Sequence, residues 1–276
     1  MIYIPIILIF IVLIIWVKQF EKSYFNKPPD YPEFSKLNRE GKPIFIAFGD
    51  SLSQANMSAD WLNILKEKRP DMQFLNAGMN ADLTYTLLTR IDDVVASQPH
   101  FICLLIGSND VMATLSKERM QVYKDLQKIT EEANYEGFMY NYREIISVLK
   151  SQTSAQILVS SLPPITEDFT FEGNIKAELY STKIKEMAQE FNLIYLPFRE
   201  KLIENMTVKS DQMVDFNNTD NIIRKSIFKR VVLKQSWNEI SKSRKAIYLT
   251  DNIHLNDDAA EILANLILNE IARKDN

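Results

Sequence analysis

The chain has 276 residues, 46% of them hydrophobic and 25% charged, and a formal net charge of −4. That is enough chain of ordinary globular composition for one large core, and its acidic balance excludes nucleic acid as the main partner, which takes a strongly basic domain. One cysteine, Cys103, excludes an internal disulfide framework and a cysteine zinc site, and two histidines, His100 and His254, must carry any histidine chemistry.

The run Ile2–Val17 is uncharged and almost wholly apolar, with Tyr3 and Trp16 near its ends. Interfacial aromatics and near-spanning length fit a membrane helix, which needs about 17–25 residues. No basic stretch precedes the run and no Ala-x-Ala-like site follows it. Residues 1–20 therefore read as an uncleaved membrane anchor, in preference to a cleaved signal peptide or a buried core helix. Residues 21–42 are polar and hold Pro28, Pro29 and Pro32, the composition of a semi-extended tether.

From residue 43 to 276 the pattern alternates. Ile44–Phe48 predicts a first strand, Gln73–Asn76 a second, Phe101–Ile106 a third, Gln156–Ser160 a fourth and Leu193–Leu196 a fifth. Helices are expected near Ser58–Glu67, Asp82–Ala96, within Lys117–Leu149, and over Ile175–Glu190 and Asp257–Ala272, the last capped by Asn256. Strands separated by helices predict an α/β fold in three layers, a parallel sheet covered on both faces. An insertion at about 199–249 is less regular. Within it Arg224–Lys245 carries eight basic residues against Glu239 alone, a net +7 in a chain of −4. A solvated helix face explains such a run, and so does contact with anionic lipid or an anionic polymer.

The residues suited to chemistry stand at the strand ends. Gly49-Asp50-Ser51-Leu52-Ser53 comes after the first strand, Asn76-Ala77-Gly78-Met79-Asn80 after the second and Gly107-Ser108-Asn109-Asp110 after the third, while Asp251-Asn252-Ile253-His254 precedes the last helix. In a parallel sheet the strand ends share one edge, so these pieces can converge. Ser51 needs a base to become nucleophilic. His254 can take its proton and return it to the leaving group, and Asp251 can orient the imidazole. The backbone N–H groups of Ser51 and Gly78 and the Asn109 amide would bind the oxyanion of a tetrahedral intermediate. Asp50 and Asp110 read as turn-holding acids, Cys103 as a buried hydrophobe, and His100 lies at the opposite sheet edge.

These four pieces resemble the blocks of the SGNH (GDSL-type) hydrolases, whose Ser, Gly, Asn and His fall on Ser51, Gly78, Asn109 and His254. The resemblance covers about Pro43 to the C-terminus. It implies a flavodoxin-like five-stranded sheet in order 2-1-3-4-5, a Ser51–His254–Asp251 triad, and no metal or other cofactor. The long basic segment departs from compact members and reads as a cap or a surface elaboration. The implied activity is cleavage of carboxylic esters through an acyl-enzyme on Ser51. The partners are a small-molecule or lipid ester and, through the N-terminal helix, the membrane. An acyltransferase or deacetylase acting on a cell-envelope glycan would use the same site. A metallophosphoesterase would need more histidine ligands than two. Lys18, Lys22 and Lys27 after the anchor count toward a cytoplasmic flank. The resemblance and the tether favour an extracytoplasmic domain at the cell membrane.

Overall fold

The computed structural model describes residues 41–206 and 216–275, together with 11, 12, 14, 15, 18, 24 and 26–32 of the N-terminal segment. The predicted anchor over 1–20 lies largely outside the described residues. Among those described, no helix is long and apolar enough to cross a membrane.

Five strands form one parallel sheet: β1 (Ile44–Gly49), β2 (Gln73–Gly78), β3 (Phe101–Leu105), β4 (Gln156–Ser160) and β5 (Ile194–Leu196). Their order is β2-β1-β3-β4-β5, as the resemblance implied, and all four pairings are parallel. Every residue of β1 is buried, because helices cover both faces of the sheet. This explains why its sequence is continuously apolar rather than alternating. Phe45 packs edge-on to Trp61, with ring centroids 6.5 Å apart, and Trp61 donates its indole N–H to the Leu52 carbonyl at 2.9 Å. Each fully buried side chain of this size is worth about 1.5–3 kcal/mol.

The helices are α1 (Ser51–Gln54), α2 (Trp61–Lys68), α3 (Thr84–Leu88), α4 (Ile91–Ala96), α5 (Ser108–Ala113), α6 (Lys117–Gln127), α7 (Tyr135–Gln152), α8 (Glu172–Glu190), α9 (Phe198–Asn205), α10 (Thr219–Val231), α11 (Trp237–Ser243) and α12 (Asp257–Asp275). The single helix predicted over Asp82–Ala96 is broken between α3 and α4. There Arg90 turns inward and donates to the carbonyls of Ala77 (2.6 Å) and Gly49 (2.9 Å), the strand ends of β2 and β1. The helix expected near Ser58–Glu67 starts at Trp61, where Asp60 caps α2 by accepting the Asn63 N–H. Asn256 caps α12, accepting from the Ala259 N–H at 3.0 Å. The basic segment folds into α10, a connector and α11.

Residues 26–32, expected as part of a tether, lie against the domain. The Asp30 carbonyl accepts from the Asn76 N–H at 3.1 Å, on the open side of edge strand β2, and Asp30 pairs with Lys66. Tyr31 is buried and donates its hydroxyl to Asp93 at 2.9 Å. An edge strand leaves N–H groups unpaired, and a neighbouring segment that accepts them protects the edge.

Candidate active site

The C-terminal edge of the sheet gathers the four sequence pieces. β1 ends at Gly49, and Asp50 caps the one-turn helix α1 by accepting the Leu52 N–H at 2.9 Å. Ser51 is thereby the first residue of a helix, with its N–H left over from the helical ladder. That N–H has no hydrogen-bond partner among the described residues.

His254 stands opposite, on a loop closed by the isolated antiparallel bridge between Leu249 and Leu255, just before α12. The loop is fastened from several sides. The Leu255 N–H donates to the Ser58 hydroxyl at 3.0 Å, and the Thr166 N–H to the Asn252 carbonyl at 2.8 Å. Glu167, buried in the loop after β4, accepts the N–H groups of Ile247, Tyr248 and Leu249 at 2.6–3.0 Å. Three backbone donors converge on this one carboxylate, and they set the segment that leads to Asp251 and His254.

Within the loop, Asp251 divides its oxygens. Oδ1 accepts the N–H groups of Ile253 (2.7 Å) and His254 (2.8 Å), and Oδ2 faces His254 Nδ1 at 2.8 Å. His254 Nε2 lies 3.0 Å from Ser51 Oγ. All three residues are buried. Burial alone would raise the Asp251 carboxyl, but His254 and the two N–H donors hold it below the ordinary carboxylate range. Burial likewise works against charge on His254, and the Asp251 charge outweighs it, so the imidazole sits above its usual value. The arrangement can pass a proton from serine to histidine and stabilise the imidazolium that results.

Asn109 is the second residue of α5, which follows Gly107 at φ +125°, a conformation that favours glycine. Its amide is fixed on both sides. Nδ2 donates to the Asp82 carbonyl at 2.9 Å and to Asp50 Oδ2 at 3.3 Å, and Oδ1 accepts the Tyr123 hydroxyl at 2.7 Å. Asp110 takes the N–H (3.1 Å) and hydroxyl (2.6 Å) of Thr84 and so ties α5 to α3. Burial pushes the carboxyls of Asp50 up to about 7 and Asp110 up to about 6.

Gly78 is not brought to the site. Its N–H is taken by Asn76 Oδ1 at 2.9 Å, and a Cβ built on it would meet the Gln54 nitrogen at 2.2 Å. The glycine is there because α1 packs directly on the end of β2. Three residues on, Ala81 occupies the position facing Ser51 and Asn109, at φ +60° and with an N–H that has no partner among the described residues. Sequence reasoning missed it, since an alanine gives no sign of a left-handed backbone. Glu167 was missed too, as an isolated acid 80 residues from the N–H groups it holds. His100 stays at the far edge, where its Nδ1 accepts the Ile44 N–H at 3.0 Å and prolongs the β1–β3 pairing.

Ser51, Ala81, Asn109 and His254 open into a cavity of about 430 Å³. Apolar side chains from α5, α6 and α10, among them Met112, Val122, Leu126 and Ile223, form much of its wall. Tyr24 of the N-terminal segment lines it as well, and its carbonyl accepts from Asn80 Nδ2 at 3.0 Å. Among the described residues no cluster of His, Cys, Asp and Glu suits a metal ion.

Residues 47–262 match the model of the GDSL-like Lipase/Acylhydrolase family. No curated protein matches by sequence. Among solved structures, the acetyl xylan esterase AlAXEase is 20% identical with a TM-score of 0.58, over 83% of this chain and 99% of its own. The acetylxylan esterase Axe2 from Geobacillus stearothermophilus is 16% identical with a TM-score of 0.55, over 84% and 94%. A lipase/acylhydrolase from Enterococcus faecalis is 15% identical with a TM-score of 0.56, over 84% and 96%. At these identities the likeness is one of fold, and the family match covers most of the chain. The chain belongs to the GDSL-like Lipase/Acylhydrolase family and is a carboxylic ester hydrolase.

Proposed function

We propose that the hydrolysis runs through an acyl-enzyme on Ser51. His254 Nε2 takes the Ser51 proton as Oγ attacks the ester carbonyl, then gives it to the departing alkoxide. Water repeats the sequence and frees the acid. Asp251 holds the imidazole with Nδ1–H toward Oδ2, so that Nε2 is the lone-pair nitrogen facing serine. The oxyanion is held by the Ser51 N–H, the Ala81 N–H and Asn109 Nδ2, with Ala81 in the role first expected of Gly78. An incoming oxygen replaces the long 3.3 Å contact between Asn109 and Asp50 while the 2.9 Å bond to Asp82 keeps the amide in place. The observation that carries the reading is the unbroken line Ser51 Oγ–His254–Asp251, with gaps of 3.0 and 2.8 Å.

The acyl group enters the apolar cavity, which favours chains longer than acetyl. The second reading, removal of acetyl groups from a glycan, is prompted by the acetyl xylan esterases of similar fold. The N-terminal run Ile2–Val17 serves as a membrane anchor with the hydrolase domain outside the cytoplasm. The deciding experiment is reaction with a fluorophosphonate probe. Wild-type protein should be labelled at Ser51, and Ser51→Ala should lose both labelling and ester hydrolysis. Undiminished hydrolysis by Ser51→Ala would sink the mechanism.

A further inference from the structure

Over much of the surface the cations sit on carboxylates. Arg69 lies 2.7 Å from Asp71, Lys124 3.0 Å from Glu132, Arg143 2.5 Å from Glu190 and Arg273 2.5 Å from Glu270. Single cations outside any ion pair among the described residues, such as Lys42, Lys128 and Lys150, occur elsewhere; beyond Asp220 of α10, which pairs with Arg119, they come in an unbroken run. From Arg224 to Lys242 no cation forms an ion pair among the described residues. Lys229 and Arg230 are bonded, but to neutral acceptors, the Ser243 hydroxyl (2.8 Å) and the Gln235 carbonyl (3.1 Å), which leave their charge in place. Glu239, the only acid of the segment, caps α11 by accepting the Ser236 N–H at 2.7 Å.

Among these cations lies apolar surface. Phe228, Val231, Val232 and Leu233 are 42–55% exposed at the C-terminal end of α10 and the turn after it. Exposed apolar residues scattered singly need no explanation, but four within six positions form a patch. An apolar tip ringed by uncompensated Lys and Arg is the chemistry of a bilayer interface, where side chains enter the acyl boundary and cations meet anionic headgroups. A soluble polyanion would use the cations and leave the apolar tip without a partner. Placement adds a second argument. The start of α10 lines the Ser51 cavity through Thr219 and Ile223, and so does Tyr24, seven residues after the apolar run Ile2–Val17 ends. The basic, apolar-tipped element and the chain that leads to that run meet at one cavity.

We propose that the end of α10 and the following turn, from Lys225 to Lys234, dock on a bilayer containing anionic lipid and hold the mouth of the Ser51 cavity at the membrane surface. The docking is independent of the chemistry at Ser51, so it is read without an activity assay. Cys103 is buried and will not label. Leu233→Cys in the full chain can therefore carry an environment-sensitive fluorophore, with Ser151→Cys, exposed at the opposite edge of the sheet, as the reference. With phosphatidylcholine–phosphatidylglycerol vesicles the Leu233→Cys label should shift to the blue and be quenched by lipid-borne quenchers, while the Ser151→Cys label stays as in buffer. Pure phosphatidylcholine should give neither response. The combined Lys225→Gln, Lys229→Gln and Lys234→Gln protein, its fold checked by circular dichroism, should need roughly 100-fold more anionic lipid for the same response, at about 1 kcal/mol per cation. A label that reads water on every vesicle would overturn the proposal, as would an equal shift with dextran sulfate in free solution and none on vesicles.

Discussion

Replacing Asp251 by Asn tests the proposed triad with little change of shape. Oδ1 accepts two backbone N–H groups at 2.7 and 2.8 Å, and Oδ2 faces His254 Nδ1 at 2.8 Å. An asparagine must keep its carbonyl oxygen on the two N–H groups, because its NH₂ placed there would oppose two donors. The NH₂ is then forced toward Nδ1, which must become the lone-pair nitrogen. The proton moves to Nε2, and Nε2–H cannot accept the Ser51 proton. A wrong tautomer of this kind costs about 10⁴-fold in kcat, or about 5 kcal/mol of transition-state stabilisation. KM and the thermal midpoint should change little, since the loop keeps its hydrogen bonds. Steady-state hydrolysis of a chromogenic ester across pH reads a second signature. In the wild type the base is protonated and activity lost as pH falls through a His254 value held above the ordinary 6.5 by the Asp251 charge. Without that charge the value drops, and the acid limb of kcat/KM should move to lower pH. A loss of less than tenfold, or an acid limb that does not move, would refute the assignment.

Asn109→Ala should lower kcat by about 10²–10³-fold with a much smaller change in KM, as removal of a single oxyanion donor does; a pure KM effect would take Asn109 out of that role. Ala81→Gly should keep activity and raise the unfolding free energy by up to about 1 kcal/mol, because glycine adopts φ +60° without the alanine's strain. Gly78→Ala should lower stability by about 1–3 kcal/mol in denaturant melts through the clash with α1, and a normal melt with a selective fall in kcat would return Gly78 to the oxyanion site. Across p-nitrophenyl esters, kcat/KM should rise by about fourfold per methylene from acetyl upward, at about 0.8 kcal/mol per buried CH₂, whereas a maximum at acetate would favour the deacetylase reading.

The sheet was legible in sequence because its central strands are buried on both faces, which makes Ile44–Phe48 and Phe101–Ile106 continuous apolar runs. The break within Asp82–Ala96 was not, because its cause is tertiary. Periodicity runs through Thr89-Arg90, while the Arg90 side chain is drawn to strand ends that the helix cannot know of. At the site, side chains announced themselves. Ser51, Asn109, Asp251 and His254 are reactive or donor types placed after strands or before a helix, and the structure assembles them. Contributions made through the backbone did not. Glu167 acts on N–H groups that every residue possesses, so nothing at 247–249 marks its target.

Gly78 and Ala81 show the same limit from the other side. In a chain with six glycines, a glycine after a strand invites a functional reading. Glycine has two separate uses, however, and this loop divides them. Gly78 supplies the missing Cβ, letting α1 lie on β2, and its own φ is ordinary. Ala81 takes the left-handed conformation, at a cost of about 1–2 kcal/mol for a residue with a Cβ. Such strain persists only where neighbours over-determine it. Asn80 on one side donates to Tyr24 and accepts from Gln127, and its N–H is held by Gln54. Asp82 on the other is bonded to Arg90, Thr86 and, through its carbonyl, Asn109. The bond to Asn109 joins the strained residue to the other proposed oxyanion donor. The loop that holds Ala81 in its costly conformation therefore also sets the angle of the Asn109 amide, and loosening Asp82 should disturb both donors together.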